Sequence, residues 1–219
     1  MELEILREEA KKKKSRVILA VDDPSHLNLI ERLKSLIVGV KLGVLPIISG
    51  KAEEFIRKER DLYFISDMKT ADIPDINIKI AEKLADMGFR GIIFHLFPMS
   101  LDEAVKLLHK RDCDAIGVAM MSHRNAVLFE RNFDSLVDYG MKAGLDGFVV
   151  GATKPDYIRK AKEMTKKPIL SPGVVKQGAL PGEAIKLGAD FEIVGRAITE
   201  SSDPVSEAER IVKRERNFI

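Results

Sequence analysis

The chain has 219 residues, 45% of them hydrophobic and 32% charged, with a formal net charge of +2. That length suits one domain spanning 1–219 with a sizeable core, and the near-balanced charge argues against a dedicated binder of nucleic-acid polymers. Cys113 is the single cysteine, which excludes an intramolecular disulfide or a cysteine-based metal cluster and makes a reducing cytoplasm the simpler home.

The N-terminal Met1-Glu2-Leu3-Glu4 is acidic and precedes no long apolar run, so neither a signal peptide nor a membrane span is expected. Leu3, Leu6 and Ala10 recur at helical spacing and predict a short amphipathic helix over one end of the fold. The basic block Lys11 to Lys14 falls at its end, where cations oppose the helix dipole favourably. An apolar run at 17–21 then enters Asp22-Asp23-Pro24 and predicts a buried strand and a turn. Leu27, Ile30 and Leu33 predict a helix from Ser25 to Ser35 with Ser25 as its cap. Further apolar runs at 37–42, 62–67, 91–95, 115–120, 146–151, 168–171 and 190–195 alternate with helical patterns. Parallel strands buried on both faces have this signature, and eight units match a (β/α)8 barrel. A doubly wound open sheet is the competing architecture, because periodicity does not report closure.

In such a barrel the chemistry belongs at the C-terminal ends of the strands. Those ends carry Asp22, Lys41, Asp67, His95, Ser122 with His123, Ser171-Pro172-Gly173 and Gly195-Arg196. In an extended strand residues i and i+2 point the same way, so Asp67 and Lys69 are expected to share a face, with Asp72 in the turn beyond. Ionised groups are seldom buried unless paired, so such a set is either a solvated turn or a site. Two late loops favour the site. Gly173 and Gly178 flank Gln177 after the seventh strand, and Arg196 opens a helix after the eighth. Glycine lets backbone amides approach an anion, and a cation at a helix start adds to the dipole. A phosphorylated substrate is implied.

At these residues the chain resembles the orotidine 5'-monophosphate decarboxylase family, in its short archaeal form. The matching pieces are Ala20-Val21-Asp22, Val40-Lys41, Asp67-Met68-Lys69-Thr70-Ala71-Asp72-Ile73-Pro74, Met121-Ser122-His123, Ser171-Pro172-Gly173 with Gln177-Gly178, and Val194-Gly195-Arg196. The resemblance implies conversion of orotidine 5'-monophosphate to uridine 5'-monophosphate, the last step of de novo synthesis of that nucleotide. It implies no metal, no organic cofactor and a homodimer of barrels. By motif, Lys69 would protonate C6, Asp67 would face the departing carboxylate, and Asp72 and Ile73 would reach the partner subunit's site. Lys41 would link Asp67 to the ribose, Asp22 would hold a ribose hydroxyl, and Ser122 would contact the pyrimidine. Gln177 and Arg196 would hold the phosphate, with Pro172 and Gly195 in the same loops. The residue types suit the chemistry, because a preorganised ammonium can both stabilise and quench a carbanion. The chain departs from the family pattern at Arg124-Asn125, where relatives often carry Pro-Gly, and at Ile76, often Thr.

Two other functions fit a barrel with such a motif: a magnesium-dependent sugar-phosphate enzyme and a non-catalytic phosphate-binding barrel. Lys41 stands where the magnesium enzymes tend to offer an acidic ligand, and a cation there repels the metal. Among the remaining residues, His95 is expected to be a hydrogen-bonded structural histidine and His26 and His109 to face solvent. His123 is expected to shape its loop, Met120 and Met121 to fill packing gaps, and Cys113 to be inert.

Overall fold

Each apolar run becomes a strand of one closed sheet in the computed structural model, which describes residues 3–218; Met1 and Glu2 of the expected leaderless N-terminus lie outside them. The strands are β1 (Val17–Val21), β2 (Gly39–Leu42), β3 (Phe64–Thr70), β4 (Gly91–His95), β5 (Asp114–Met120), β6 (Gly147–Val150), β7 (Ile169–Pro172) and β8 (Phe191–Val194). All neighbours pair in parallel in sequence order, and β1 pairs with β8, Ile18 opposite Ile193. That last pairing makes a (β/α)8 barrel and excludes the open sheet.

The helices are α1 (Glu4–Lys13), α2 (Leu29–Leu33), α3 (Val44–Ile48), α4 (Lys51–Lys58), α5 (Pro74–Asp86), α6 (Asp102–His109), α7 (Val127–Ala143), α8 (Pro155–Met164), α9 (Glu183–Lys186), α10 (Arg196–Thr199) and α11 (Pro204–Glu215). No helix among the described residues is long and apolar enough to cross a membrane. Burial on both faces explains the unbroken apolar composition of β1 and β6 and the largely apolar composition of β2, β5 and β8, which carry Lys41, Asp114 and Glu192; every residue of these five strands is buried. The buried Asp114 of β5 has a partner inside the fold: the Tyr63 hydroxyl donates to it at 2.5 Å at the N-terminal end of the barrel.

The short N-terminal helix stands where the periodicity put it. Leu3 and Leu6 are fully buried, Leu3 N–H donates to Asp114 Oδ1 at 3.3 Å, and the basic residues occupy the last turn. The segment after β1 differs from its expected form. A 3-10 turn at Pro24–His26 precedes a five-residue α2, in place of one helix from Ser25 to Ser35. Asp23, not Ser25, is the cap, accepting from Ser25 N at 2.8 Å and from the Ser25 hydroxyl at 2.7 Å. Pro24 explains this, since a proline without N–H suits the first helical position and leaves the residue before it extended, free to cap. The third strand also runs further than its apolar stretch, carrying Asp67, Met68, Lys69 and Thr70 into the sheet.

Candidate active site

The charged end of β3 is not a regular strand. Its pairing with β4 shifts register between Ser66 and Thr70, and Lys69 adopts φ 49°, the left-handed region. A non-glycine residue there is strained by roughly 1–2 kcal/mol, and such strain concentrates where geometry serves a site. The bulge re-aims the lysine. Lys69 Nζ ends 2.9 Å from Asp67 Oδ1, so the two residues share a face through the bulge rather than through simple alternation.

Asp67 is 6% exposed and Lys41, from β2, 7%. Lys41 Nζ bonds Asp67 Oδ2 and lies 3.7 Å from Asp22 Oδ1 at the end of β1. Burial has the largest effect on the Asp67 carboxyl and would raise its pKa, but the charges of Lys41 and Lys69 together outweigh it and hold the group below the ordinary carboxylate range. The result is a chain of alternating charge, Asp22, Lys41, Asp67, Lys69, set across three adjacent strands. Gly43 makes room for its first member, since a Cβ there would stand 2.4 Å from Asp22 Oδ1.

This chain lines one side of a cavity of about 280 Å³ at the C-terminal mouth of the barrel, floored by apolar side chains such as Ile93, Val118, Val149 and Ile193. Ser122, Pro172, Gln177, Gly195 and Arg196 line it as well. The loop after β7 turns tightly: Val175 N–H donates to Ala179 O at 2.7 Å and Gly178 N–H to Val175 O at 3.0 Å, placing Lys176 and Gln177 at its tip. Gln177 Oε1 packs close to Gly173, and Arg196 opens α10 from the end of β8. The Gln177 amide side chain and the Arg196 guanidinium therefore share one cavity with the carboxylates and lysines, an arrangement suited to a small molecule with an anionic tail.

Nine of the expected site residues meet in this cavity: Asp22, Lys41, Asp67, Lys69, Ser122, Pro172, Gln177, Gly195 and Arg196. Asp72 and Ile73 stand apart, exposed on the rim. Asp72 Oδ1 accepts from Ile73 N at 2.8 Å, while the Asp72 carbonyl accepts from Asn77 Nδ2 at 2.7 Å and Ser100 Oγ at 2.8 Å. Sequence reasoning missed Lys176, a cavity-lining residue whose Nζ lies 3.2 Å from Glu200 Oε2. Its signal was its place between the two loop glycines. Also missed was Thr153, which donates to the Ser122 carbonyl at 2.6 Å and so fixes that residue's backbone. Met120 and Met121 line the cavity as well as filling space.

Two histidines depart from expectation. His95 Nδ1 is buried without a hydrogen-bond partner among the described residues; its ring packs on Phe97 and Phe129, and burial, then the Lys69 charge, lower its pKa. The apolar wall supplied by Phe97, just after β4, and Phe129 on α7 accounts for the missing bond. His109 is half-buried and pairs with Asp146 at 2.8 Å, so it is not simply solvent-facing. Cys113 fits its expected inertness: burial raises its thiol to about 11.

A model of the family described as "Orotidine 5'-phosphate decarboxylase / HUMPS family" matches residues 15–211. Orotidine 5'-phosphate decarboxylase of Thermoplasma acidophilum is 34% identical over 202 residues, covering 90% of this chain and 94% of that protein. The Pyrococcus furiosus enzyme of the same name is 34% identical, covering 88% of each. Among solved structures, orotidine 5'-monophosphate decarboxylase from Sulfolobus solfataricus superposes with a TM-score of 0.84 at 32% identity, covering 93% of this chain and 98% of that one. The Methanocaldococcus jannaschii enzyme, complexed with the inhibitor BMP, superposes with a TM-score of 0.81 at 30% identity, covering 91% and 97%.

Proposed function

The chain belongs to the orotidine 5'-phosphate decarboxylase / HUMPS family, and from that premise we propose that it is a carboxy-lyase converting orotidine 5'-monophosphate to uridine 5'-monophosphate without metal or organic cofactor. The observation that carries this reading is the ion-paired array of buried Lys41, buried Asp67 and half-buried Lys69, which lines the same cavity as Gln177 and Arg196. Phosphate held at the far wall leaves the pyrimidine over the apolar floor with its C6 carboxylate toward Asp67 and Lys69. The C6–carboxylate bond breaks, the electron pair remains on C6 and carbon dioxide departs. Lys69 stabilises the carbanion electrostatically and then donates a proton to it. Asp67, kept ionised by its two lysines, faces a like charge that vanishes as carbon dioxide leaves, and it fixes the position of Lys69. Binding energy from the remote phosphate offsets the repulsion and orders the loop. Asp22 and Lys41 take the ribose hydroxyls, and Ser122 takes the base.

The same reading makes the chain one barrel domain over 1–219 that works as a cytoplasmic homodimer, with Asp72 and Ile73 serving the neighbouring site. Support comes from the rim. Val44, Leu45, Ile48, Ile73, Phe97, Met99, Val127 and Leu128 are large exposed apolar side chains, and all lie on segments leaving the C-terminal ends of β2 to β5. A patch of this kind beside a site suits an interface.

The magnesium-dependent alternative is opposed by the Lys41 ammonium, which occupies the space between Asp22 and Asp67 where a divalent cation would need both carboxylates. The deciding experiment follows the loss of orotidine monophosphate absorbance with purified protein in the presence of a chelator. Steady decay supports the proposal; activity that appears solely on adding magnesium overturns it.

A further inference from the structure

Behind β8, on the face turned away from the cavity, two carboxyl groups are wholly buried together: Glu192 in β8 and Glu215 at the end of α11, each 0% exposed. Both Glu192 oxygens accept from Gly182 N at 2.9 Å, and Oε1 accepts from Ala184 N at 3.1 Å. Glu215 Oε2 accepts from Arg16 N at 3.1 Å, while its Oε1 has no hydrogen-bond partner among the described residues. Two buried carboxylates cannot both ionise at contact distance. One proton shared in a hydrogen bond between the two side chains resolves the conflict. Burial first, then the Glu192 charge, push the Glu215 carboxyl up to about 9, so the pair holds its proton at neutral pH. Charged side chains on the elements around it include Arg16 before β1, Glu183 on α9, whose carboxylate caps Leu180 N at 3.0 Å, and Arg216, whose guanidinium is spent on the Lys13 and Lys14 carbonyls; Lys186 on α9 and Glu207, Glu209, Arg210, Lys213 and Arg214 on α11 are the others on those helices.

What this pair grips is the downstream end of the phosphate-side loop. Gly182 has φ 85°, and a Cβ there would stand 2.5 Å from the Phe218 ring, so the chain is pinned between Glu192 and the C-terminal segment. From Gly182 back to Ala179, which closes the turn bearing Gln177, there intervene just Leu180 and the stiff Pro181. We propose that the Glu192–Glu215 pair is a positioning device for this loop, fixing Gly182 so that Gln177 is set to meet the phosphate of the substrate. It rests on the function proposed above, and it sits on the opposite face of β8 from the residues assigned to catalysis.

The test compares orotidine monophosphate with phosphate-free orotidine in the 219-residue protein and its Glu192→Gln and Glu215→Gln variants, at pH 7 and at about pH 10. Glu192→Gln is expected to raise KM for orotidine monophosphate about tenfold, the scale of one lost charge-assisted hydrogen bond, with kcat/KM for orotidine unchanged. A pair that only supports the fold would change both substrates alike. In Glu215→Gln the amide still donates to Glu192 but does not titrate, so KM at pH 7 stays at the wild-type value and the alkaline rise in KM seen in wild type disappears. Equal losses on the two substrates, or an alkaline rise unchanged in Glu215→Gln, overturn the proposal. If Glu192→Gln does not fold, the pH profile of Glu215→Gln decides. If wild type binds uridine monophosphate but decarboxylates nothing, the proposed reaction is wrong, and the same comparison is read from the affinities for uridine monophosphate and uridine.

Discussion

Replacing Lys41 by Met removes the charge at the centre of the array while keeping most of the stem's volume, so the change is close to purely electrostatic. Asp67 is shared between two ammonium groups, Lys41 on Oδ2 and Lys69 at 2.9 Å from Oδ1. Removing one partner of a buried ion pair costs about 3–5 kcal/mol, because the other charge is left uncompensated. Here Lys69 remains beside Asp67, though its side chain is 34% exposed and better screened than Lys41. The expected loss is therefore at or just below the lower end of that range, about 2–3 kcal/mol at pH 7, or a Tm drop of roughly 5–10 °C for a domain of this size. The pH dependence follows from the depressed carboxyl. A group whose native pKa lies below its unfolded value contributes stability that is present above the unfolded value, about 3.9, and lost as pH falls through the native one. In Lys41→Met the burial of Asp67 is opposed by Lys69 alone, so its native pKa rises. The stability gap between the two proteins should be widest at pH 7 and close as pH falls from about 5 toward 3. Thermal and urea unfolding at several pH values measure this, and kcat/KM should fall at least about a hundredfold as Lys69 loses its fixed carboxylate. A loss below about 1 kcal/mol that does not vary with pH would refute the argument.

Lys69→Ala is expected to lower turnover by several orders of magnitude while uridine monophosphate still binds in a calorimetric titration; near-normal turnover removes Lys69 from its role. The shared-site reading of Asp72 is checked by mixing. Lys69→Ala and Asp72→Ala homodimers, each nearly inactive, should recover roughly a quarter of wild-type activity when their subunits exchange, because one site of each hybrid is intact. No recovery after demonstrated exchange would place Asp72 outside the neighbouring site. Ile48→Asp, in the exposed rim patch, should shift sedimentation toward monomer and reduce activity, and an unchanged sedimentation coefficient would point to another interface.

Much of this was legible in the chain because the physics is local. Apolar runs alternating with helical periodicity specify parallel strands and crossover helices, and the C-terminal strand ends then collect Asp22, Lys41, Asp67, Lys69 and Arg196 without reference to coordinates. What lay beyond reach was long-range or conformational. Closure depended on β1 meeting β8, residues about 175 positions apart, as in Ile18 and Ile193. The meeting of Asp67 and Lys69 depended on a bulge and a left-handed lysine that no propensity announces. Glu192 reads in sequence as one polar residue in an apolar strand, and Glu215 as one charge on an amphipathic helix. Only the tertiary structure buries them against each other, since which groups lose water together is set by packing between elements and not by the order of residues within them.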